Sequence, residues 1–183
     1  MKRLIGLGMA LMLVGALAGV TMAVSSDVFT LLVQPGGDYG VLIDTDSVNL
    51  GGLTAGNSAQ TGAIPVETDG TLGPVEYTIL AAVTVGSATL DDNDTLASTE
   101  IGLKAEFVLS SPSFDAGTKD IVTTAAQQVG DAAGKYEGAG EEMDDMAADG
   151  ESHNLFCQVT LPSPCDYSEA HTLTVTINAQ AAD

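Results

Sequence analysis

Residues 172–179 read TLTVTINA, and this stretch decides the fold class. In it Leu173, Val175, Ile177 and Ala179 alternate with residues that are all polar. An alternation with a period of two, carried mostly by β-branched residues, is typical of a strand with one buried side and one solvent-facing side. The stretch therefore predicts a half-buried β-strand.

The same alternation recurs along the chain. Two further long segments carry it, Glu100–Leu109 and Pro74–Val85. Five shorter candidates are Val28–Val33, Tyr39–Ile43, Val48–Leu53, Ala59–Glu67 and Leu155–Leu161. Glycine, proline and asparagine residues between these segments mark turns. Eight strands separated by turns predict an all-β fold, an antiparallel two-sheet sandwich.

One segment, about residues 111–152, breaks the alternation and is rich in Gly, Ala, Asp and Glu. Its centre, Ile121–Ala133, has apolar residues at helical spacing and predicts a short helix. Acidic residues without a basic one fill its end, and runs of like charge usually stay exposed. We therefore expect an acidic, solvated and partly helical insertion in a single domain that spans residues 24–183, since one domain is the default at this length.

The first residues have the pattern of an export signal. Lys2 and Arg3 precede an apolar run, and small residues then offer cleavage sites after Ala18 and Ala23. The apolar run is shorter than the roughly 20 residues that a bilayer core requires. We therefore expect Met1–Ala23 to be a cleaved signal peptide and the mature chain to have no membrane span. The predicted location is outside the cell, at the cell surface or in a periplasm.

The composition is strongly acidic, with 25 Asp and Glu against 5 Lys and Arg and a formal charge of −20. Loss of the signal peptide would leave Lys104, Lys119 and Lys135 as the basic residues. A phosphate backbone is bound by clustered lysine and arginine, so we expect no nucleic-acid partner. A charge of this size keeps an exported protein soluble and attracts divalent cations and basic partners.

The chain has two cysteines, Cys157 and Cys165. In an oxidising compartment an even cysteine count usually means a disulfide, and Pro162 and Pro164 lie where the chain would turn to close it. A redox-active pair is the alternative, but the spacing is not CxxC and no basic residue lies near enough in sequence to lower a thiol pKa. We predict a structural disulfide.

Two acidic runs offer oxygen ligands, and Ca²⁺ takes six to eight of these. The candidate ligands are Asp91, Asp92, Asp94, Glu141, Glu142, Asp144 and Asp145. Neither run has the glycine and glutamate at the offsets of an EF-hand loop. The sequence therefore predicts no required cofactor and leaves Ca²⁺ as a hypothesis.

Catalytic motifs are missing from the sequence. His153 and His171 are the only histidines, and neither lies in an HExxH pattern, so we expect them at the surface or at strand ends. There is no GxSxG elbow and no GxxxxGK[ST] loop. A carboxylate pair for glycoside hydrolysis stays open, because its separation is a three-dimensional quantity. The sequence predicts a protein that is not an enzyme.

The order of elements over residues 47–78 is a strand, a glycine turn, a second strand, an Asp-Gly turn and a long strand. This order resembles the opening of bacterial exported immunoglobulin-like domains. A closing hairpin of Leu155–Leu161 and His171–Ala179 is similar to the end of such domains. The resemblance implies a surface or extracellular structural module and assigns no catalytic residue.

These observations lead to a first hypothesis, a secreted structural or adhesive β-sandwich that forms part of a surface layer or fibre. Its partners would be further copies or other surface proteins, and Thr172–Ala179 is a candidate edge strand for their pairing. The alternative is an extracellular module that binds calcium or carbohydrate. A secreted hydrolase ranks third, because its motifs are absent.

Overall fold

The computed structural model describes most of the chain that follows the predicted signal peptide. It covers residues 27–36, 40–43, 47–69, 74–93, 95–109, 120–130, 135–138, 143, 146 and 149–182. Residues 1–23, predicted as the signal peptide, lie outside these ranges. The regular structure within them is all β-strand, and none of these residues is helical.

Every strand predicted from alternation is present. The strands are β1 (Asp27–Gly36), β2 (Val41–Ile43), β3 (Ser47–Leu53), β4 (Ser58–Gln60), β5 (Ile64–Asp69), β6 (Val75–Val85), β7 (Thr89–Leu90), β8 (Glu100–Val108), β9 (Asp120–Ile121), β10 (Gln127–Gln128), β11 (Asp149–Thr160) and β12 (His171–Ala181). The single predicted strand Ala59–Glu67 is divided into β4 and β5. Between them the hydroxyl of Thr61 accepts the N–H of Cys157 at 3.0 Å, in place of a backbone carbonyl.

The strands form two sheets, which confirms the predicted sandwich. One sheet has the order β10-β6-β12-β1-β3, and the other has the order β2-β5-β11-β8-β7, with β4 on β11 and β9 on β8. Most pairs are antiparallel, but β1 lies parallel to β12 over eight residue pairs, and β7 lies parallel to β8. The first long strand and the last are therefore neighbours in the middle of the five-stranded sheet.

This topology overturns two expectations about the C-terminal strand. Thr172–Ala179 is not an edge, because β12 pairs with β6 on one side and with β1 on the other. Leu155–Leu161 and His171–Ala179 do not form a hairpin either, because β11 and β12 belong to different sheets. The link after Thr160 crosses from one sheet to the other.

The core lies between the two sheets and is filled by the inward residues of the alternating strands. On β12 the side chains of Leu173, Val175 and Ile177 are fully buried. Across the sandwich Tyr77 of β6 packs against Phe107 of β8, with ring centroids 5.9 Å apart. Full burial of a large apolar side chain contributes about 1.5 to 3 kcal/mol, so these rows provide most of the stability.

A segment between β8 and β11 joins the two sheets along one side, and we call it the bridging segment; its described residues are 120–130, 135–138, 143 and 146. It crosses between the outer edge of β8 and the outer edge of β6 and hydrogen-bonds to each in turn. The bonds run from Val122 N to Leu103 O, Ala81 N to Thr123 O, Val129 N to Tyr77 O, Phe107 N to Tyr136 O and Val75 N to Met146 O. Two strand edges that would otherwise be unpaired are covered by it.

The bridging segment differs from the predicted insertion in two ways. A helix over Ile121–Ala133 is wrong for the described residues 121–130, because their backbone groups bond to β8 and β6 rather than to one another. The segment is also not simply solvated. It contributes a set of buried side chains to the core: Val122, Val129, Tyr136, Met143 and Met146.

The predicted disulfide is absent, and both cysteines are free. Cys157 faces the core from the middle of β11 and is fully buried. The strand runs on to Thr160, about 10 Å further at 3.3 Å per residue, before the prolines turn the chain. Cys165 therefore does not return to Cys157, and its thiol instead lies 3.7 Å from the carbonyl oxygen of Tyr167.

Burial raises the pKa of the Cys157 thiol from 9.0 to about 12. An unfolded thiol loses its proton above pH 9, whereas the folded one keeps it, so this group stabilises the fold fully below pH 9 and progressively less above it. Tyr77 and Tyr136 have pKa values raised by burial, and they act in the same direction at still higher pH.

Replacing an inward residue of β12 should cost far more than replacing an outward one. Ile177→Ala is expected to lower the free energy of unfolding by about 2 to 5 kcal/mol, because it opens a cavity in the core. Thr174→Ala on the same strand is the matched control, with an expected cost below about 1 kcal/mol. Urea unfolding followed by circular dichroism measures both. Equal losses would contradict the assignment of the two faces.

The two thiols should differ in reactivity. In the native protein iodoacetamide is expected to alkylate Cys165 and to leave the buried, protonated Cys157 unmodified until the chain is unfolded. Intact-mass spectrometry counts the labels. A chain that takes up no label even in denaturant, with a mass lower by two hydrogen atoms, would restore the disulfide.

The free energy of unfolding should fall above pH 9, by about 1.4 kcal/mol per pH unit for the Cys157 thiol alone. The variant Cys157→Ala should flatten this slope between pH 9 and pH 10, whereas Cys165→Ala should leave it unchanged. Urea unfolding at a series of pH values gives the slopes. An identical slope in both variants would remove Cys157 as its source.

Candidate functional site

A groove lies on the outer face of the seven-stranded sheet, where the bridging segment meets β8. It consists of two neighbouring cavities of about 300 and 270 Å³, which share Lys104 and Ile121. Lys104 of β8 is the register partner of Ile121 on one side and of Gln158 on the other. The three side chains therefore lie in one row across three adjacent strands and form the floor of the groove.

The groove is lined by apolar side chains and by hydrogen-bond donors and acceptors. The first cavity adds Asp91, Leu96, Gly102, Leu103 and Thr160, and the second adds Asp92, Asp120, Thr123, Gln127, Lys135 and Tyr136. At Gly102 a Cβ atom would approach Leu96 Cδ2 to 3.2 Å, so the glycine lets the leucine lie close over β8. The volume is that of a small-molecule site.

Hydrogen bonds hold the second cavity in shape. Tyr136 has a left-handed backbone with φ of 60°, which is uncommon for a residue other than glycine and is kept only where neighbours enforce it. Here the Asp120 carboxylate accepts the N–H of Tyr136 at 2.7 Å, and the Tyr136 carbonyl accepts the N–H of Phe107 at 2.6 Å. The backbone of Lys135, the residue before it, is held by a further bond, in which its carbonyl accepts the N–H of Gly130 at 2.9 Å.

The Tyr136 side chain lies beneath this cavity and is almost fully buried. Its hydroxyl is 2.6 Å from the Ile121 carbonyl and also contacts the side-chain oxygen of Gln127. Burial, and next the charge of Asp120, raise the pKa of Tyr136 well above its usual value. The hydroxyl therefore stays protonated and acts as a hydrogen-bond donor.

The calcium candidates are only partly within the described residues. Asp91 is buried and accepts the N–H of Asn93 at 3.2 Å, whereas its neighbour Asp92 is exposed. The remaining candidates, Asp94, Glu141, Glu142, Asp144 and Asp145, lie outside those residues. Within them, no three His, Cys, Asp or Glu side chains converge as a metal site would require.

The histidines are buried, which corrects the expectation that they lie at the surface. His171 does begin a strand, but it is fully buried, with its ring 4.5 Å from that of Tyr167 and its Nε2 3.9 Å from Glu169. Gly86 makes room for it, since a Cβ there would lie 2.2 Å from the imidazole. Hydrogen bonds from Ser87 lower the pKa of the exposed Glu169.

His153 lies inside β11 and is 1% exposed. Its Nε2 is 3.7 Å from the carboxylate of Glu151, at the end of the sandwich where the Tyr77 hydroxyl is also buried. That hydroxyl has no hydrogen-bond partner among the described residues. Burial, and then the charges of Glu151 and Glu67, raise the pKa of Tyr77, so the phenol remains neutral. These groups lie within the core rather than in a cleft.

The outer face of the five-stranded sheet contrasts with the groove, and we call it the uncharged face. Its outward residues are Thr30 and Leu32 on β1, Ser47 and Asn49 on β3, Thr78, Leu80, Ala82 and Thr84 on β6, and Thr172, Thr174, Thr176 and Asn178 on β12. Not one of these side chains is ionisable. Glu76 at its margin is buried, with its carboxylate bonded by Gln128 at 2.6 Å and by Gln180.

Hydroxyl and amide groups link neighbouring strands across the uncharged face. Thr84 Oγ1 is 3.1 Å from Thr174 Oγ1, and Asn178 donates to Thr78 Oγ1 at 3.2 Å.

The uncharged face ends at β3, whose outer edge has no strand partner among the described residues. The seven residues of β3, SVNLGGL, contain no charge and no proline. A bulge at Leu50, where the register to β1 shifts between Phe29 and Thr30, and a left-handed Gly51 interrupt the strand, and Asn49 Oδ1 accepts the Gly51 N–H at 2.8 Å.

Comparisons with protein families and with curated sequences found no match. Within the described residues there is no helix of the length and hydropathy needed to cross a membrane. The described residues form a two-sheet β-sandwich.

Of the groove residues, only Asp91 and Asp92 were predicted from the sequence as site residues, and these as possible calcium ligands. A signal was present, because Lys104 and Lys135 are two of only three lysines within residues 24–183. The two lysines come together because the bridging segment returns to β8. This return could not be predicted, because the strands of the segment have two residues each and show no alternation.

Proposed function

We propose that this protein is a secreted, non-enzymatic structural or adhesive β-sandwich, a subunit of a surface layer or fibre, and that copies associate through the five-stranded sheet. The observation that carries the proposal is charge segregation. The chain has 25 acidic residues. Among the described side chains, however, β3 has none, and the outward side of the five-stranded sheet has one, Glu76, whose carboxylate is buried against Gln128 and Gln180.

Two copies of a chain with a formal charge of −20 repel each other in most orientations. They approach at least cost through surfaces that carry no charge. Protein interfaces are also depleted of charged residues at their centres, because burying an unpaired charge is expensive. The uncharged face, with Thr174 and Thr176 at its centre, meets this condition.

The open edge of β3 indicates where a second copy would add its strand. Proteins that stay monomeric protect long edges with lysine, proline, a bulge or a covering segment. The bridging segment covers β6 and β8 in this way, whereas β3 has neither lysine nor proline and only the bulge at Leu50 interrupts it. Strand addition at β3 would extend the sheet from one copy to the next, with the bulge at Leu50 setting the local twist.

A charge placed on this sheet should prevent association. Residues 24–183 are expected to form dimers or larger species in sedimentation velocity at micromolar to millimolar concentrations in 0.15 M salt. Thr174→Glu on the face and Asn49→Glu on the edge should each return the protein to monomer, because both bury a carboxylate against like-charged copies.

The matched control is Gln60→Glu, which adds the same charge to exposed β4 in the other sheet and should leave association unchanged. Circular dichroism and thermal unfolding establish that the variants fold. A wild-type chain that stays monomeric throughout this range, or an assembly that is insensitive to both sheet variants, would refute the proposal.

A further inference from the structure

We propose that the groove over β8 is a binding site for an uncharged saccharide of one or two units. This is independent of association through the five-stranded sheet, because the groove lies on the outer face of the opposite sheet.

The first argument is the chemistry of the lining. A sugar presents several hydroxyls, each both donor and acceptor, around an apolar ring. The groove is lined by ammonium groups of Lys104 and Lys135, by amides of Gln158 and Gln127, and by the carboxylates of its aspartates. The Gln127 oxygen and one Asp120 oxygen already accept hydrogen bonds from Tyr136, so the Gln127 NH₂ and the second Asp120 oxygen are the groups that could bond to a ligand there. Apolar contact comes from the partly buried Ile121 and from Leu96. Small-molecule sites have this combination of apolar walls and a few placed polar groups.

The second argument is the balance of charge. Two of the three lysines within residues 24–183 line the groove, so its aspartates are offset there as they are nowhere else along the described chain. With Asp91, Asp92 and Asp120 also present, the lining has no large excess of either sign. The field of the whole acidic chain repels an anion, and this disfavours acidic sugars relative to neutral ones.

The third argument is that the groove is preorganised. The Asp120 carboxylate fixes Tyr136 in its left-handed conformation at 2.7 Å, and β8, β9 and β11 hold Lys104, Ile121 and Gln158 in one row. A ligand therefore meets groups already in place, which reduces the entropy lost on binding. A groove formed by chance between loops would lack this support.

The test is a titration of ¹⁵N-labelled residues 24–183 with maltose, cellobiose, lactose and chitobiose, each separately, and with glucuronate. At least one neutral sugar should give saturable shifts of the backbone amides of Lys104, Ile121 and Gln158. Lys104→Gln should weaken that binding about tenfold or more, since it removes a charged donor. Gln158→Ala serves as a second variant if Lys104→Gln fails to fold.

Thr174→Glu is the matched control, because it changes the net charge by the same amount on the opposite face, and its affinity should equal that of the parent. The control also separates this inference from the proposed function, since it is expected to be monomeric and still to bind. No saturable shift with any neutral sugar, binding of glucuronate alone, or affinity that survives both groove variants would overturn the inference.

Discussion

The hydrogen bonds of the bridging segment to the outer edges of β6 and β8 are the interaction on which the other features depend. A strand edge has unpaired N–H and C=O groups that must find a partner, whether in the same chain, in water or in another copy. By crossing between the sheets, the segment covers both edges and adds Tyr136 and two methionines to the core. Its return to β8 also makes the groove. Among the described strands it leaves uncovered the outer edge of β3 and the edges of the short end strands β2 and β7.

How much of the fold could be predicted from the sequence depends on whether each structural feature is set by neighbouring residues or by distant ones. Alternation is local, so TLTVTINA and seven other segments were identified as strands, and the sandwich with them. Pairing is not local. Nothing in the alternation shows that β12 lies parallel to β1 in mid-sheet, or that residues 120–130 form two-residue strands on separate sheets. The disulfide prediction was wrong because the distance between Cys157 and Cys165 depends on where β11 ends, which no local pattern shows. The histidines were expected at the surface because polar residues are usually exposed.

The two outer faces of the sandwich differ in a way that matches two roles. The outward side chains described for the five-stranded sheet include one ionisable group, the buried Glu76, and this scarcity of charge suits contact between copies that otherwise repel. The seven-stranded sheet carries a groove with lysines, carboxylates and amides, which suits a small polar ligand. Association and ligand binding on opposite faces do not compete, so an assembled layer or fibre would still display its grooves.

Amide hydrogen exchange at low and high protein concentration tests the central claim most directly, that the bridging segment seals one side of the sandwich and leaves β3 for a second copy. The account predicts that the amides of residues 122 and 129 are protected at every concentration, whereas the open-edge amides within Ser47–Leu53 become protected only as concentration rises. Protection of these β3 amides in the dilute chain, or protection that grows with concentration along β6 or β8 instead, would contradict it.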